Sequence, residues 1–259
     1  MDIEQALEQA LQHHRAKQLP QAESLYRQIL QVDPNQTNAL HLLGVIAYQV
    51  EQYDVAVELI NKALATKPDY VEALNNLGRA LQAQGHLNAA AASYRKALTL
   101  DCEFIAAHSG LGTILQAQGA LDEATNCYQT ALSINPNYAE AHNNIGTIHR
   151  HQRRLHAAVA SYENALSIKP DYALALSNLG AALLALGKPE QAMASLEKAI
   201  LIEPQQAEAR SSLGRAQLLL GDFLAGWDNY AWRRKEKNPA TRPPDYEEPL
   251  WDGRTLEGK

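Results

Sequence analysis

The sequence has 259 residues, 46% of them hydrophobic and 20% charged, with a formal net charge of −6. That is the make-up of a soluble folded chain of one or two domains, and it argues against nucleic acid as the main partner, because phosphate binding needs a surplus of Lys and Arg on one face. Two cysteines, Cys102 and Cys127, are too few for a disulfide framework and lack ligand spacing; both read as small helix-packing residues in a reducing compartment. No segment approaches the ~18 consecutive apolar residues of a membrane span, and the start, MDIEQALEQALQHH, is polar where a signal peptide is basic and then apolar, so a cytoplasmic protein without membrane contact is expected. An Ala-, Leu- and Gln-rich composition with no β-branched runs favours an all-α chain.

Internal repetition organises the rest. Prolines 34, 68, 136, 170 and 204 recur at 34 residues or twice that, with Cys102 in the vacant place. Taking these as position 32 of a repeat starts seven repeats at residues 3, 37, 71, 105, 139, 173 and 207. In chain order, position 7 is Leu43, Leu77, Leu111, Ile145, Leu179 and Leu213, and position 8 is Gly44, Gly78, Gly112, Gly146, Gly180 and Gly214. Position 20 is Ala22, Ala56, Ala90, Ala124, Ala158 and Ala192, position 24 is usually Tyr, and position 27 is usually Ala.

At about 100° per residue, positions 4, 7, 8 and 11 share one helical seam, helix A. The glycine at position 8 and the alanines at 20 and 27 strip bulk from the place where a second helix, helix B, packs. Gly85, Gly119, Gly187 and Gly221 at position 15 supply a left-handed end to helix A, and the proline at 32 ends helix B. Asp69 with Glu72, and Asn137 with Glu140, have the spacing of capping boxes. Each repeat is thus an antiparallel helical hairpin that must stack on its neighbours to bury its apolar face.

The L-G, A, Y, A and P positions over residues 3–240 resemble the tetratricopeptide repeat family. The resemblance implies a right-handed superhelix of about seven hairpins, with helix A lining a concave groove. Position 6 lies about 200° from position 4, with positions 2, 9 and 13 on the same side. Asn76, Asn144 and Asn178 at position 6, beside Asn75 and Asn143, then line the groove, each amide offering a donor and an acceptor to the backbone of an extended peptide. The arrangement resembles the asparagine ladder of O-linked N-acetylglucosamine transferases, interrupted here by Glu8, Leu42, Gly110 and Ser212. Arg79, Thr147 and Arg215 at position 9, and His151 at position 13, share that face. The set needed for a carboxylate clamp is not found.

Residues 149–156, HRHQRRLH, are the densest basic stretch, read either as a solvated turn or as a site for an acidic partner or phosphate. His108 and His142 at position 4 read as packed histidines, and the G-L-G at 110–112 as a packing feature inside helix A. No catalytic motif, metal site or cofactor site is recognised. The last repeat departs from the pattern at Gly226 and Arg233, with Trp227, Tyr230 and Trp232 expected to close the final hairpin. The stretch 241–259 reads as a proline-rich connector. GWDNYAWRR, followed by PLWDGRTLEGK, resembles the junction between such an array and a glycosyltransferase domain in bacterial proteins. The expectation is a non-catalytic module that binds a protein or extended peptide, either the recruiting arm of a bacterial glycosyltransferase-like protein or a free-standing scaffold. Self-association through terminal or convex surfaces is a further possibility.

Overall fold

A computed structural model describes residues 2–235, and every regular element among them is helical. The helices A are α1 (Ile3–Arg15), α3 (Thr37–Gln49), α5 (Val71–Ala83), α7 (Ile105–Ala117), α9 (Ala139–His151), α11 (Ala173–Ala185) and α13 (Ala207–Leu219). The helices B are α2 (Leu19–Val32), α4 (Tyr53–Thr66), α6 (Leu87–Leu100), α8 (Leu121–Ile134), α10 (Leu155–Ile168), α12 (Pro189–Ile202) and α14 (Phe223–Tyr230), the last followed by a 3₁₀ turn at Ala231–Lys235. The chain forms two compact parts, the first ending at Ile148 and the second beginning at His149.

Each helix A stops the same way. Position 15 is left-handed in every repeat, at φ +72° to +86° in Gly85, Gly119, Gly187 and Gly221, and at φ 58°, 62° and 61° in Lys17, Glu51 and Arg153. The following N–H reaches back to the carbonyl five residues earlier, as in Gln52 to Ala47 (2.8 Å), His86 to Leu81 (2.9 Å) and Arg154 to His149 (2.8 Å). This is the Schellman ending, which satisfies carbonyls that a helix end otherwise leaves bare. Helix B ends just before position 32, as the prolines require.

Helix restart differs from expectation. Asp69 does not cap α5; its N-cap is Tyr70, with no side-chain bond. In three other repeats the residue at position 31, which is Lys67 before α5, makes an Asx turn, accepting from the N–H two residues on: Asp33 from Asn35 (3.1 Å), Asp101 from Glu103 (2.9 Å) and Asn135 from Asn137 (3.0 Å). His108 and His142 are half-buried tethers. Each ring donates from Nε2 to the position-32 carbonyl, of Cys102 (2.9 Å) and Pro136 (3.3 Å), and Arg210 Nε does the same to Pro204 (2.7 Å). Of the cysteines, Cys127 packs beside the core of the first part, whereas Cys102 is exposed in the turn between α6 and α7.

The core is the A–B contact. Position 24 fills it with Tyr26, Ile60, Tyr94, Tyr128, Tyr162 and Leu196, all buried to within 1% of completely. The glycines at position 8 face these side chains: a Cβ on Gly44 would stand 2.7 Å from Ile60, on Gly78 2.7 Å from Tyr94, on Gly112 2.7 Å from Tyr128 and on Gly180 2.5 Å from Leu196. In the last hairpin the approach is backbone to backbone, since a Cβ on Gly214 would lie 2.3 Å from the Tyr230 nitrogen and 2.7 Å from the Gly226 carbonyl. A Cβ on Gly226 would itself stand 2.8 Å from the Leu218 side chain and 3.1 Å from its nitrogen, which is why glycine replaces alanine there. Tyr230 and Trp232 are half-buried under the guanidinium groups of Arg233 and Arg210 (4.4 and 4.5 Å), but Trp227 does not close the hairpin, being 58% exposed. Residues 236–259, including the connector at 241–259, lie outside the described residues.

Candidate functional site

The helices A of the first part hold a polar network that begins at position 5. His41 is buried on α3, and its Nε2 stands 2.9 Å from Asn76 Nδ2 while its Nδ1 stands 3.0 Å from the Tyr70 hydroxyl. An amide nitrogen only donates, so Nε2 accepts and the ring carries its proton on Nδ1. The Asn76 carbonyl in turn accepts from Arg79 at 3.5 Å, and the Arg79 guanidinium lies 4.6 Å over the Tyr48 ring.

Burial pushes the His41 pKa down from 6.5 to about 4, against the opposing pull of Glu72. The unfolded chain therefore takes up a proton near pH 6.5 that the folded chain excludes until about pH 4. Stability is full above this window and declines as the pH falls through it, by on the order of 3 kcal/mol when complete. Urea midpoints measured from pH 7 to pH 4 should fall, and fall less in His41→Gln. An equal decline in both would remove His41 as the cause.

Beside this network, Asn75, Arg79 and Gln82 of α5 and Ser109, Gly110 and Thr113 of α7 line an open pocket of about 300 Å³, floored by Tyr94 and flanked by Tyr138. Asn75 is 7% exposed, and its side-chain oxygen is buried without a hydrogen-bond partner. The Tyr94 hydroxyl donates to Gln82 Oε1 at 3.3 Å. Gly110 occupies the position-6 place, and the Tyr94 ring fills the space an asparagine would take there: a Cβ on Gly110 would be 2.5 Å from Tyr94 Cζ.

The two members of the asparagine pairs differ. Position 5 is buried, with Asn75 at 7% and Asn143 at 1% exposure, whereas Asn76, Asn144 and Asn178 at position 6 are half-buried. Asn143 Nδ2 donates to Asn144 Oδ1 (3.2 Å), Thr147 donates to the Asn143 carbonyl (3.2 Å), and Asn144 hydrogen-bonds the buried Tyr128 hydroxyl, whose pKa burial raises. The position-6 amides thus bond within the protein as well as facing outward. In the second part, His151 and Arg215 line one pocket together with Arg150 and Arg153.

His41 was not singled out by sequence reasoning. The signal was an uncharged or weakly basic polar residue at position 5 in six successive repeats: His41, Asn75, Ser109, Asn143, Ser177 and Ser211. Among the described residues no cluster of three or more His, Cys, Asp or Glu is able to hold a metal ion, and no helix is long and apolar enough to cross a membrane.

Three family models match this chain, all of them for the tetratricopeptide repeat: "TPR repeat" at residues 112–152, "Tetratricopeptide repeat" at 137–202, and another "Tetratricopeptide repeat" at 7–70 and 41–102. The hairpin array is therefore built of tetratricopeptide repeats. The Cut9–Hcn1 hetero-tetramer structure of the APC/C has a chain with TM-score 0.76 and 17% identity, covering 83% of this chain and 42% of its own. PilF of Pseudomonas aeruginosa gives TM-score 0.69 at 20% identity over 80% of this chain and 94% of its own. TTC0263, a thermophilic TPR protein of Thermus thermophilus, gives TM-score 0.61 at 25% identity over 70% and 99%. The chain thus spans less than half the length of the Cut9–Hcn1 chain it matches. No curated protein matches it.

Proposed function

We propose that this chain is a protein-interaction module that captures an extended segment of a partner protein on its helix-A faces, with Asn75, Arg79 and the position-6 asparagines as contacts. The observation that carries this reading is the Asn75 side-chain oxygen, buried at the rim of an open polar pocket without a partner. A buried acceptor left unpaired costs about 1–3 kcal/mol, and a backbone N–H of a bound peptide supplies the missing donor. Arg79, exposed beside it, offers donors to the peptide carbonyls. Asn76, Asn143, Asn144 and Thr147 extend the polar surface of the first part; in the second part Asn178, Arg215 and His151 are the corresponding contacts.

Peptides selected from a random library on the whole protein provide the test. Asn75→Ala combined with Arg79→Ala should weaken their binding about tenfold or more, with the melting temperature little changed. Unaltered affinity in that double variant would place the binding surface elsewhere.

Within this function, the resemblance of residues 226–234 and 249–259 to a glycosyltransferase junction supports a bacterial, cytoplasmic recruiting arm. The match to TTC0263 over 99% of that chain favours the second reading, a free-standing scaffold. The reading frame beyond codon 259 separates them: a nucleotide-sugar domain supports the first, a stop codon the second. Self-association at the end of the array would use Phe223, Leu224 and Trp227, which α14 exposes by 64%, 84% and 58%.

A further inference from the structure

Arg150 and His151 stand in the last turn of α9, Arg153 at the left-handed residue that follows, and Arg215 on α13 two repeats further along. The fold of the second part brings all four to the wall of one open pocket of about 330 Å³, floored by Leu155, Ala181 and Ala185. No carboxylate among the described residues lines it. The ion pairs found among the described residues, Arg27 with Glu23 and Lys62 with Glu58, involve none of these arginines. Arg215 donates only to the Ser212 hydroxyl (2.9 Å), and the Nε of Arg150 is buried without a hydrogen-bond partner. Converging cations repel one another, and a buried guanidinium N–H without an acceptor is unfavourable. A chain of net charge −6 has gathered this charge in one place from separate elements.

We propose that this pocket is a second recognition site, which binds an acidic segment of a protein partner through its carboxylates. The guanidinium groups offer paired donors of the geometry carboxylates accept, and the alanine floor leaves room for the aliphatic part of a Glu side chain. Nucleic acid fits worse, since no aromatic residue among those described lines the pocket for a base to stack on, and the overall charge repels a long polyanion. Four repeats place glycine at the left-handed position of Arg153, whereas here an arginine takes it at some cost in backbone strain. Lys17, which follows His13, His14 and Arg15, and Glu51 share that conformation, so it is the meeting of Arg153 with Arg150, His151 and Arg215 at one pocket that makes the site.

The site rests on the reading above for its protein partner and shares Arg215 and His151 with it, but it lies in the other part of the chain from Asn75 and Arg79. The test uses fluorescence anisotropy of a short fluorescein-labelled Glu-rich peptide on the whole protein, with a Lys-rich peptide and a single-stranded oligonucleotide as further probes. The acidic peptide should bind, and bind less as salt is raised. Arg150→Gln with Arg215→Gln should weaken it about tenfold or more, while Asn75→Ala with Arg79→Ala leaves it unchanged. Arg153→Gly should raise Tm by about 2–4 °C yet lower peptide affinity, a pair of changes that partial unfolding does not produce. Should the double variant fail to fold, Arg153→Gly alone decides. Undetectable binding of the Glu-rich peptide, unchanged affinity in the arginine variants, or tighter binding of the oligonucleotide would overturn the proposal.

Discussion

Replacing Tyr94 by Ala should cost about 3–5 kcal/mol, the range for deleting a large buried aromatic side chain. The ring is 1% exposed and sits between two glycines, Gly78 of its own repeat and Gly110 of the next, with ideal Cβ positions 2.7 and 2.5 Å from it. It therefore joins α5, α6 and α7 at one point, where neither glycine has a side chain to move into the void. Because stacked repeats are stabilised chiefly by their nearest neighbours, the loss should also reduce the cooperativity of unfolding. Urea unfolding followed by circular dichroism measures both. Tyr94→Phe, which removes only the hydroxyl bonded to Gln82, should cost about 1 kcal/mol. A loss below about 1 kcal/mol for Tyr94→Ala would contradict the packing described.

Gly110→Asn is the second large effect, and there sequence and structure point opposite ways. Read as a sequence, the change completes a row of asparagines at position 6 and looks harmless. In the fold, its Cβ meets the Tyr94 ring at 2.5–2.9 Å, and overpacking of this kind costs about 1–3 kcal/mol or more. The same substitution made together with Tyr94→Ala should be far cheaper than the sum of the two, because the ring it collides with is gone. Additive costs would mean that the two residues do not meet.

That pair shows what was legible in the sequence and what was not. The seven helix-A starts at residues 3, 37, 71, 105, 139, 173 and 207 match the repeat register residue for residue, because period, glycine and proline act within one hairpin. The left-handed end of helix A was legible where it is glycine. At Lys17, Glu51 and Arg153 it was not, since nothing in those side chains signals φ above zero. Side chains that meet the neighbouring repeat were the harder part. Positions 5 and 6 are about 100° apart on the helix, and which of them the next hairpin covers depends on the stacking angle, so the burial of Asn75 and Asn143 against the half-exposure of Asn76 and Asn144 was not readable. Arg215 was placed on the groove face, but its meeting with Arg150 and Arg153 requires the packing of α11 and α13. The Asp69–Glu72 spacing misled because α5 begins at Val71 with Tyr70 as its N-cap and no side-chain cap bond, so Asp69 stands one residue too early.

The central claim, that the helix-A face of the first part holds an extended peptide, is tested most directly by a crystal structure of the whole protein bound to a library-selected peptide. The account predicts an extended chain lying across α5 and α7, with one peptide N–H donating to the Asn75 side-chain oxygen and a peptide carbonyl within reach of Arg79. A peptide bound as a helix, or lying on the helix-B side with Asn75 still unpartnered, would contradict it.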